Sequence, residues 1–241
     1  MKFTDGYWML RDGIKLHSPV CIRDVRITGK SARVFAACRP VRHRGDTLNE
    51  PLITVEYFSP MEDVIGVRIT HHAGKKKAPP AYAVAWDENT DVDIQNTKDY
   101  LEYRSGKLNL RVYREENWHT EYAYDGRRLT GNREKTTGYL TDGQGNAYIR
   151  EQLELDVDEC VYGLGERFTP FVKNGQSVDI WNEDGGTASE QSYKNVPFYL
   201  TNKVYGVFVN DPGRVSFEVA SEVVSRVQFS APGETMEYYI I

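Results

Sequence analysis

Apolar and polar residues alternate with a period of two along most of the chain, and this constrains the fold more than any other feature. Such a period sends successive side chains to opposite faces of an extended strand, whereas an amphipathic helix needs apolar residues three and four apart. Val67-Arg68-Ile69-Thr70-His71, Leu108-Asn109-Leu110-Arg111-Val112, Leu153-Glu154-Leu155-Asp156-Val157 and Val215-Ser216-Phe217-Glu218-Val219 all carry it. Residues 53–58 and 204–209 read as apolar on both faces, which places them centrally in a sheet. Turn signals separate the runs: Ser105-Gly106, Asp125-Gly126, Asp142-Gly143 and Asp211-Pro212-Gly213. Many short strands without a sustained helical period predict an all-β fold, an antiparallel β-sandwich whose core comes from the inward residues of its sheets. Trp118, Tyr122 and Tyr124 are expected on one sheet face.

No internal repeat or low-complexity linker divides the 241 residues. The expected units are residues 1–230, one sandwich, and residues 231–241, which open with Ala231-Pro232-Gly233-Glu234 and begin a connection to whatever follows. Thirty basic against 35 acidic residues, a net charge of −5, leave no electrostatic footprint for nucleic acid or an anionic membrane. Lys75-Lys76-Lys77, followed by Ala78-Pro79-Pro80, reads as an exposed loop tip. Three widely spaced cysteines, Cys21, Cys38 and Cys160, form no disulfide framework. With no signal-peptide pattern at Met1, the expected location is cytoplasmic. The histidines lack metal-ligand spacing, and no nucleophile elbow or Walker loop occurs, so neither a metal nor a cofactor is expected.

Residues 161–199 break the strand pattern. Val161-Tyr162-Gly163-Leu164-Gly165-Glu166-Arg167-Phe168, then Ile180-Trp181-Asn182-Glu183-Asp184-Gly185-Gly186-Thr187, then Tyr193-Lys194-Asn195-Val196-Pro197-Phe198-Tyr199 crowd glycine, aromatic and carboxylate residues together. The glycines permit backbone angles barred to other residues. Glu166, Arg167, Trp181, Asn182 and Asp184 could hydrogen-bond hydroxyls and stack on an apolar ring face, the two surfaces a sugar presents. An ordinary β-protein loop with a solvated Glu166-Arg167 pair would use the same residues.

The same stretch resembles the end of the N-terminal domain of family-31 glycoside hydrolases, the α-glucosidases and α-xylosidases. The Tyr162–Phe168 run resembles that family's sandwich signature, and the Trp181–Thr187 run resembles its loop to the active site. Asp5-Gly6-Tyr7-Trp8, Phe58-Ser59-Pro60 with Gly66-Val67-Arg68-Ile69, and residues 193–199 are most similar to the bacterial α-xylosidase branch, so the likeness covers almost the whole chain.

The resemblance implies a galactose-mutarotase-like super-sandwich and a parent retaining α-glycosidase acting on non-reducing terminal α-xylosyl or α-glucosyl residues. It implies substrate contacts from Asp184, Trp181, Asn182 and Glu183, with Glu166, Arg167 and Phe168 supporting the loop. Many members have Asn-Arg-Asp where this chain has Asn182-Glu183-Asp184, so the arginine's contact does not carry over. The family's Trp-x-Asp-Met-Asn-Glu nucleophile motif is absent, and a (β/α)₈ barrel alone needs about 250 residues. The expectation is therefore a fragment with no catalytic residue of its own, inactive alone. Its expected partners are an α-xyloside or α-glucoside oligosaccharide, the enzyme's own barrel, and sister subunits of a homo-oligomer. The rival expectations are a carbohydrate-binding module and an assembly domain without catalysis.

Overall fold

The structure is a computed structural model that describes residues 1–6, 8–74, 80–114 and 117–241. The lysine run at 75–77 and Tyr7 of the Asp5–Trp8 motif lie outside the described residues. Among those described, no α-helix forms; helical turns are confined to 3₁₀ segments at Arg44–Thr47 and Gly186–Ala188.

The strands are, in chain order, β1 Thr4–Asp5, β2 Met9–Leu10, β3 Lys15–His17, β4 Cys21–Thr28, β5 Ser31–Ala37, β6 Leu52–Phe58 and β7 Ile65–Thr70. There follow β8 Val92–Asn96, β9 Tyr100–Ser105, β10 Leu108–Tyr113, β11 Thr120–Tyr124, β12 Arg127–Asn132, β13 Gly138–Thr141 and β14 Ala147–Glu154. The last are β15 Val161–Gly163, β16 Gln176–Ile180, β17 Phe198–Thr201, β18 Gly206–Val209, β19 Val215–Val219, β20 Arg226–Pro232 and β21 Thr235–Ile240.

An eight-stranded antiparallel sheet, β15-β17-β18-β21-β7-β6-β5-β4, forms one layer. A six-stranded sheet, β16-β19-β20-β14-β13-β3, and a five-stranded one, β12-β11-β10-β9-β8, supply the inward residues opposite it. Val55 and Tyr57 of β6, Tyr238 of β21, Phe229 of β20 and Tyr122 of β11 all belong to one buried cluster. Phe229 packs between Tyr238, 5.0 Å away edge to face, and Phe217, at 5.9 Å. The five- and six-stranded sheets meet where Thr130 Oγ1 donates to the Glu154 carbonyl at 2.8 Å.

The turns at Ser105-Gly106, Asp125-Gly126 and Asp142-Gly143 close hairpins, whereas Asp211-Pro212-Gly213 carries the chain from β18 in the eight-stranded sheet to β19 in the six-stranded one. Asp125 and Gly126 both take positive φ, 49° and 79°, as a tight two-residue turn with right-handed strand twist demands. The Asp142 turn is longer, with the carboxylate accepting from the Gln144 and Asn146 N–H groups, each at 2.9 Å.

Several expectations fail locally. β14 ends at Glu154, and Val157 stands 91% exposed, because Asp158 at φ 62° turns the chain back so that Glu159 N–H meets the Asp156 carbonyl. Val204 is likewise exposed, in the turn before β18 at φ 65°. Tyr124 keeps the face of Tyr122, the two pairing with Leu108 and Leu110 in regular register, but at the end of β11 it stands 38% exposed while Trp118 and Tyr122 are buried. All of β19 is buried despite its alternation: Glu218 accepts from Ser177 and Ser221 and pairs with the Met1 ammonium at 3.1 Å. The N-terminal residues therefore cover the outer face of the six-stranded sheet.

The boundary expected near residue 230 falls inside β20. Residues 235–240 are β21, which lies within the eight-stranded sheet between β18 and β7. Burial explains why: Met236, Tyr238 and Ile240 supply apolar surface to the same core as the rest of the sandwich.

Candidate functional site

The aromatic and glycine-rich stretch gathers at the β15 end of the large sheet. β15 closes on Gly163 at φ 104°, Leu164 at φ 65° and Gly165 at φ 90°. This left-handed run lets the Leu164 and Glu166 N–H groups reach the carbonyls of Phe198 and Lys194, at 2.8 and 2.9 Å. A side chain at 165 would sit 2.2 Å from the Lys194 carbonyl oxygen, so only glycine allows the two segments to touch.

Arg167 follows directly and ties the loop together. Its guanidinium donates to the carbonyls of Leu164 at 2.9 Å, Glu190 at 3.0 Å and Asp179 at 2.9 Å, and to the Asn195 side chain. Burial holds this guanidinium below its ordinary pKa, with the charge of Asp179 pulling the other way. Asn195 then reaches across: its Nδ2 donates to the carbonyls of Trp181 at 2.9 Å and Ser192 at 2.7 Å and to the Asn182 side chain at 2.9 Å. Glu183 N–H donates to Ser192 at 3.0 Å, next to a parallel bridge between Asn182 and Ser192.

Above this network lies a pocket of about 250 Å³ lined by Tyr82, Ile180, Trp181, Asn182, Asn195 and Pro212. Trp181 is 47% exposed and its indole lies 6.0 Å from the Arg214 guanidinium carbon. A half-exposed indole beside amide groups can stack on an apolar ring face while the amides exchange hydrogen bonds with hydroxyls.

Of the residues singled out in the sequence, Trp181 and Asn182 line this pocket; Glu183 and Asp184 are not among its lining residues. Glu183 accepts from Gln191 at 3.0 Å, and Asp184 accepts from Gly186 N–H at 3.2 Å, both in the exposed loop. Glycine at 185 fits the close packing there, since a Cβ would lie 2.5 Å from the Gln191 Cβ. Glu166 is exposed and paired with Lys194 at 2.6 Å, and Phe168 is 58% exposed. Tyr82, Asn195 and Arg214 were not singled out for a role. Asn195 carried a weak signal inside its quoted run. Tyr82 carried none, since it is tied by its N–H to Asn210, 128 residues away. Among the described residues, no group of three or more His, Cys, Asp or Glu is placed to hold a metal ion.

Replacing Arg167 with alanine removes four hydrogen bonds from a charged donor. The expected cost is roughly 1.5–3 kcal/mol per charged bond at most sites, concentrated in the loop and reduced where water substitutes. Limited proteolysis should therefore cut residues 182–196 faster while the melting of the sandwich changes little. Equal cleavage rates in the variant would mean that backbone pairing alone holds the loop.

Residues 54–218 match the sequence-family model described as the glycosyl hydrolase 31 N-terminal galactose mutarotase-like domain. The chain is 42% identical over 243 residues to the α-xylosidase XylQ of Lactiplantibacillus pentosus, and 41% identical over 265 residues to an α-xylosidase of Emericella nidulans. In both cases all of this chain is covered, against 32% and 33% of the relative, so it spans about a third of their length. Among solved structures, the cycloalternan-forming enzyme of Listeria monocytogenes, in complex with a pentasaccharide substrate, superposes with a TM-score of 0.77 at 19% identity, covering 95% of this chain and 21% of that one. A family-31 α-xylosidase from a soil metagenome, complexed with xylose, gives 0.67 at 16% identity, covering 90% and 32%. The all-β sandwich is thus of the galactose-mutarotase-like type, and the chain belongs to the glycosyl hydrolase 31 N-terminal galactose mutarotase-like domain family.

Proposed function

We propose that this chain is the N-terminal domain of a cytoplasmic, retaining α-glycosidase of the α-xylosidase kind, acting on non-reducing terminal α-xylosyl or α-glucosyl residues. The observation that carries the site assignment is the half-exposed Trp181 at the mouth of a pocket shared with Asn182 and Asn195. Full coverage of the chain by two relatives named α-xylosidases supports the activity.

In this reading the Trp181–Thr187 loop lends one wall to a sugar cavity that belongs mainly to a catalytic barrel. Trp181 faces the sugar ring, Asn182 donates or accepts hydrogen bonds at its hydroxyls, Asp184 accepts from them, and Glu183 stands at the rim. Glu166, Arg167 and Phe168 hold the loop rigid, which matters because a misplaced contact costs rate as well as affinity. A retaining mechanism needs two carboxyl groups about 5–5.5 Å apart on either side of the glycosidic bond, and these would come from the barrel. The domain acts with the barrel, in an enzyme that forms homo-oligomers, and does no hydrolysis by itself.

The test uses the chain joined to its catalytic domain, assayed on an aryl α-xyloside. Asp184→Ala should lower kcat/KM by roughly tenfold or more, a loss of at least about 1.4 kcal/mol, with unaltered thermal unfolding. Unchanged kinetics would remove the loop from the active site. Calorimetric titration of the isolated chain with xylose, isoprimeverose and maltose should give no saturable heat; clear saturation would favour a free-standing carbohydrate-binding module instead.

A further inference from the structure

On the outer face of the six-stranded sheet a cavity of about 650 Å³ lies beneath the N-terminal residues. Ile149 and Leu153 of β14 point into the inter-sheet core, so strand alternation turns Arg150 and Gln152 outward into this space. Arg150 is 2% exposed. One of its amino groups donates to the Lys135 carbonyl at 2.6 Å, but its Nε is buried and meets no acceptor among the described residues. Ser18 Oγ, in the same cavity and on a residue 8% exposed, likewise has no partner among them. Leaving such donors unmade forfeits their full desolvation, most severely for a charged group. Two of them in one cavity call for an acceptor.

The local charge gives that acceptor its sign. Arg133, Lys135, Arg150 and Arg226 line the cavity against one acid, Glu134. Arg133 is committed to Glu154 at 2.5 Å, and Arg226 donates to Gln152 at 3.0 Å. Glu222, the carboxylate nearest in effect to Arg150, is engaged by the Phe3 and Thr4 N–H groups, the Thr4 hydroxyl and Gln228. Burial lowers the Arg150 guanidinium to about 10, which still leaves it charged at neutral pH. At the mouth stands Trp8, 80% exposed, with Leu10, Pro19 and Val20 as apolar neighbours around the lining. Arg111 and Arg128, which line the cavity on the five-stranded sheet, are paired with Glu102 and Glu154; in the cavity beneath the N-terminal residues Lys135 likewise pairs with Glu134 at 3.8 Å, and it is the Arg150 Nε that is left unmet.

We propose that this cavity binds an anionic sugar, its carboxylate or phosphate held by Arg150 and Ser18 with Arg226 nearby, and its ring set against Trp8. An arginine fork matches either oxyanion, and an indole accepts a pyranose face. The volume lies within the roughly 300–1,000 Å³ of small-molecule sites. The cavity shares no lining residue with the Trp181 pocket, so this site does not depend on the function proposed above.

Isothermal titration of the 241-residue chain at low ionic strength would use glucose 6-phosphate, glucuronate, inorganic phosphate and neutral glucose as probes. At least one of the two sugar anions should bind with a Kd below about 1 mM, more tightly than phosphate, with glucose silent; which one responds identifies the oxyanion. Trp8→Ala, at an exposed side chain, should weaken that binding at least fivefold, and Arg150→Gln at least tenfold. Should Arg150→Gln fail to fold, Arg226→Gln replaces it, with a loss of at least threefold expected. No binding of either sugar anion, equal binding of glucose, or unchanged affinity in the Trp8 and arginine variants would overturn the proposal.

Discussion

Truncating Phe229 to alanine is expected to lower the unfolding free energy by about 3–5 kcal/mol, the range for a large buried aromatic. Phe229 is fully buried in the middle of β20, between Tyr238 of the large sheet and Phe217 of its own. Its ring therefore links the two layers as well as two neighbouring strands. Loss of its apolar area adds to the cavity left behind, because hydrogen-bonded strands on either side cannot collapse into the space. Folded domains retain only about 5–15 kcal/mol in total, so the variant should sit close to its unfolding threshold. Urea denaturation would show a large fall in midpoint with a similar slope. A change below about 1 kcal/mol would mean that the two layers are not welded at this ring.

The second large effect is a dependence on pH centred on Glu151. Its neighbours Ile149 and Leu153 direct this residue into the core, where its carboxylate accepts from Thr137 at 2.9 Å, the Gln152 N–H at 2.9 Å and Asn132 at 3.3 Å. Burial pushes the carboxyl up from 4.5 to about 7, against the opposing pull of these hydrogen bonds and of the Arg150 charge. The folded chain thus holds this proton more tightly than the unfolded one. The resulting stabilisation is complete below pH 4.5 and is lost as pH rises through about 7.

The span corresponds to on the order of 3 kcal/mol. Other carboxylates, including Glu102 and Asp156, are shifted the opposite way, and their contribution is lost as pH falls below the ordinary carboxylate range, so the wild-type curve bends at both ends. Comparison with Glu151→Gln isolates it: whatever the variant loses at pH 4.5, it should recover about 3 kcal/mol relative to wild type by pH 8. A difference between the two proteins that stays flat across this interval would place the titrating proton elsewhere.

The strands at Ile65–Thr70 and Leu108–Tyr113 were legible because a half-buried strand writes its orientation locally, one residue in and one out. β19 carries the same alternation and yet is wholly buried, because much of the cover over Ser216 and Glu218 comes from Asp179 and from the chain's first residue, both remote in sequence. Residues 235–240 look like a separate strand after a Pro-Gly turn, and nothing local says that they enter the sheet between β18 and β7. At the candidate site, glycine and tryptophan marked the loop. The pocket's other wall, Tyr82, arrived from a distant segment.

The sequence by itself determined the all-β class, the hairpin turns and the family, because period-two patterning, positive-φ turn chemistry and a long matching run are all properties of contiguous residues. Only the tertiary structure decided that Arg167 and Asn195 lock three segments of the loop together, that Glu151 lies in the core, and that Arg150 and Ser18 are left with unmet donors in a basic cavity. These depend on which strands become neighbours. Burial and hydrogen-bond satisfaction are set by contacts between residues remote in the chain, and alternation alone does not encode them.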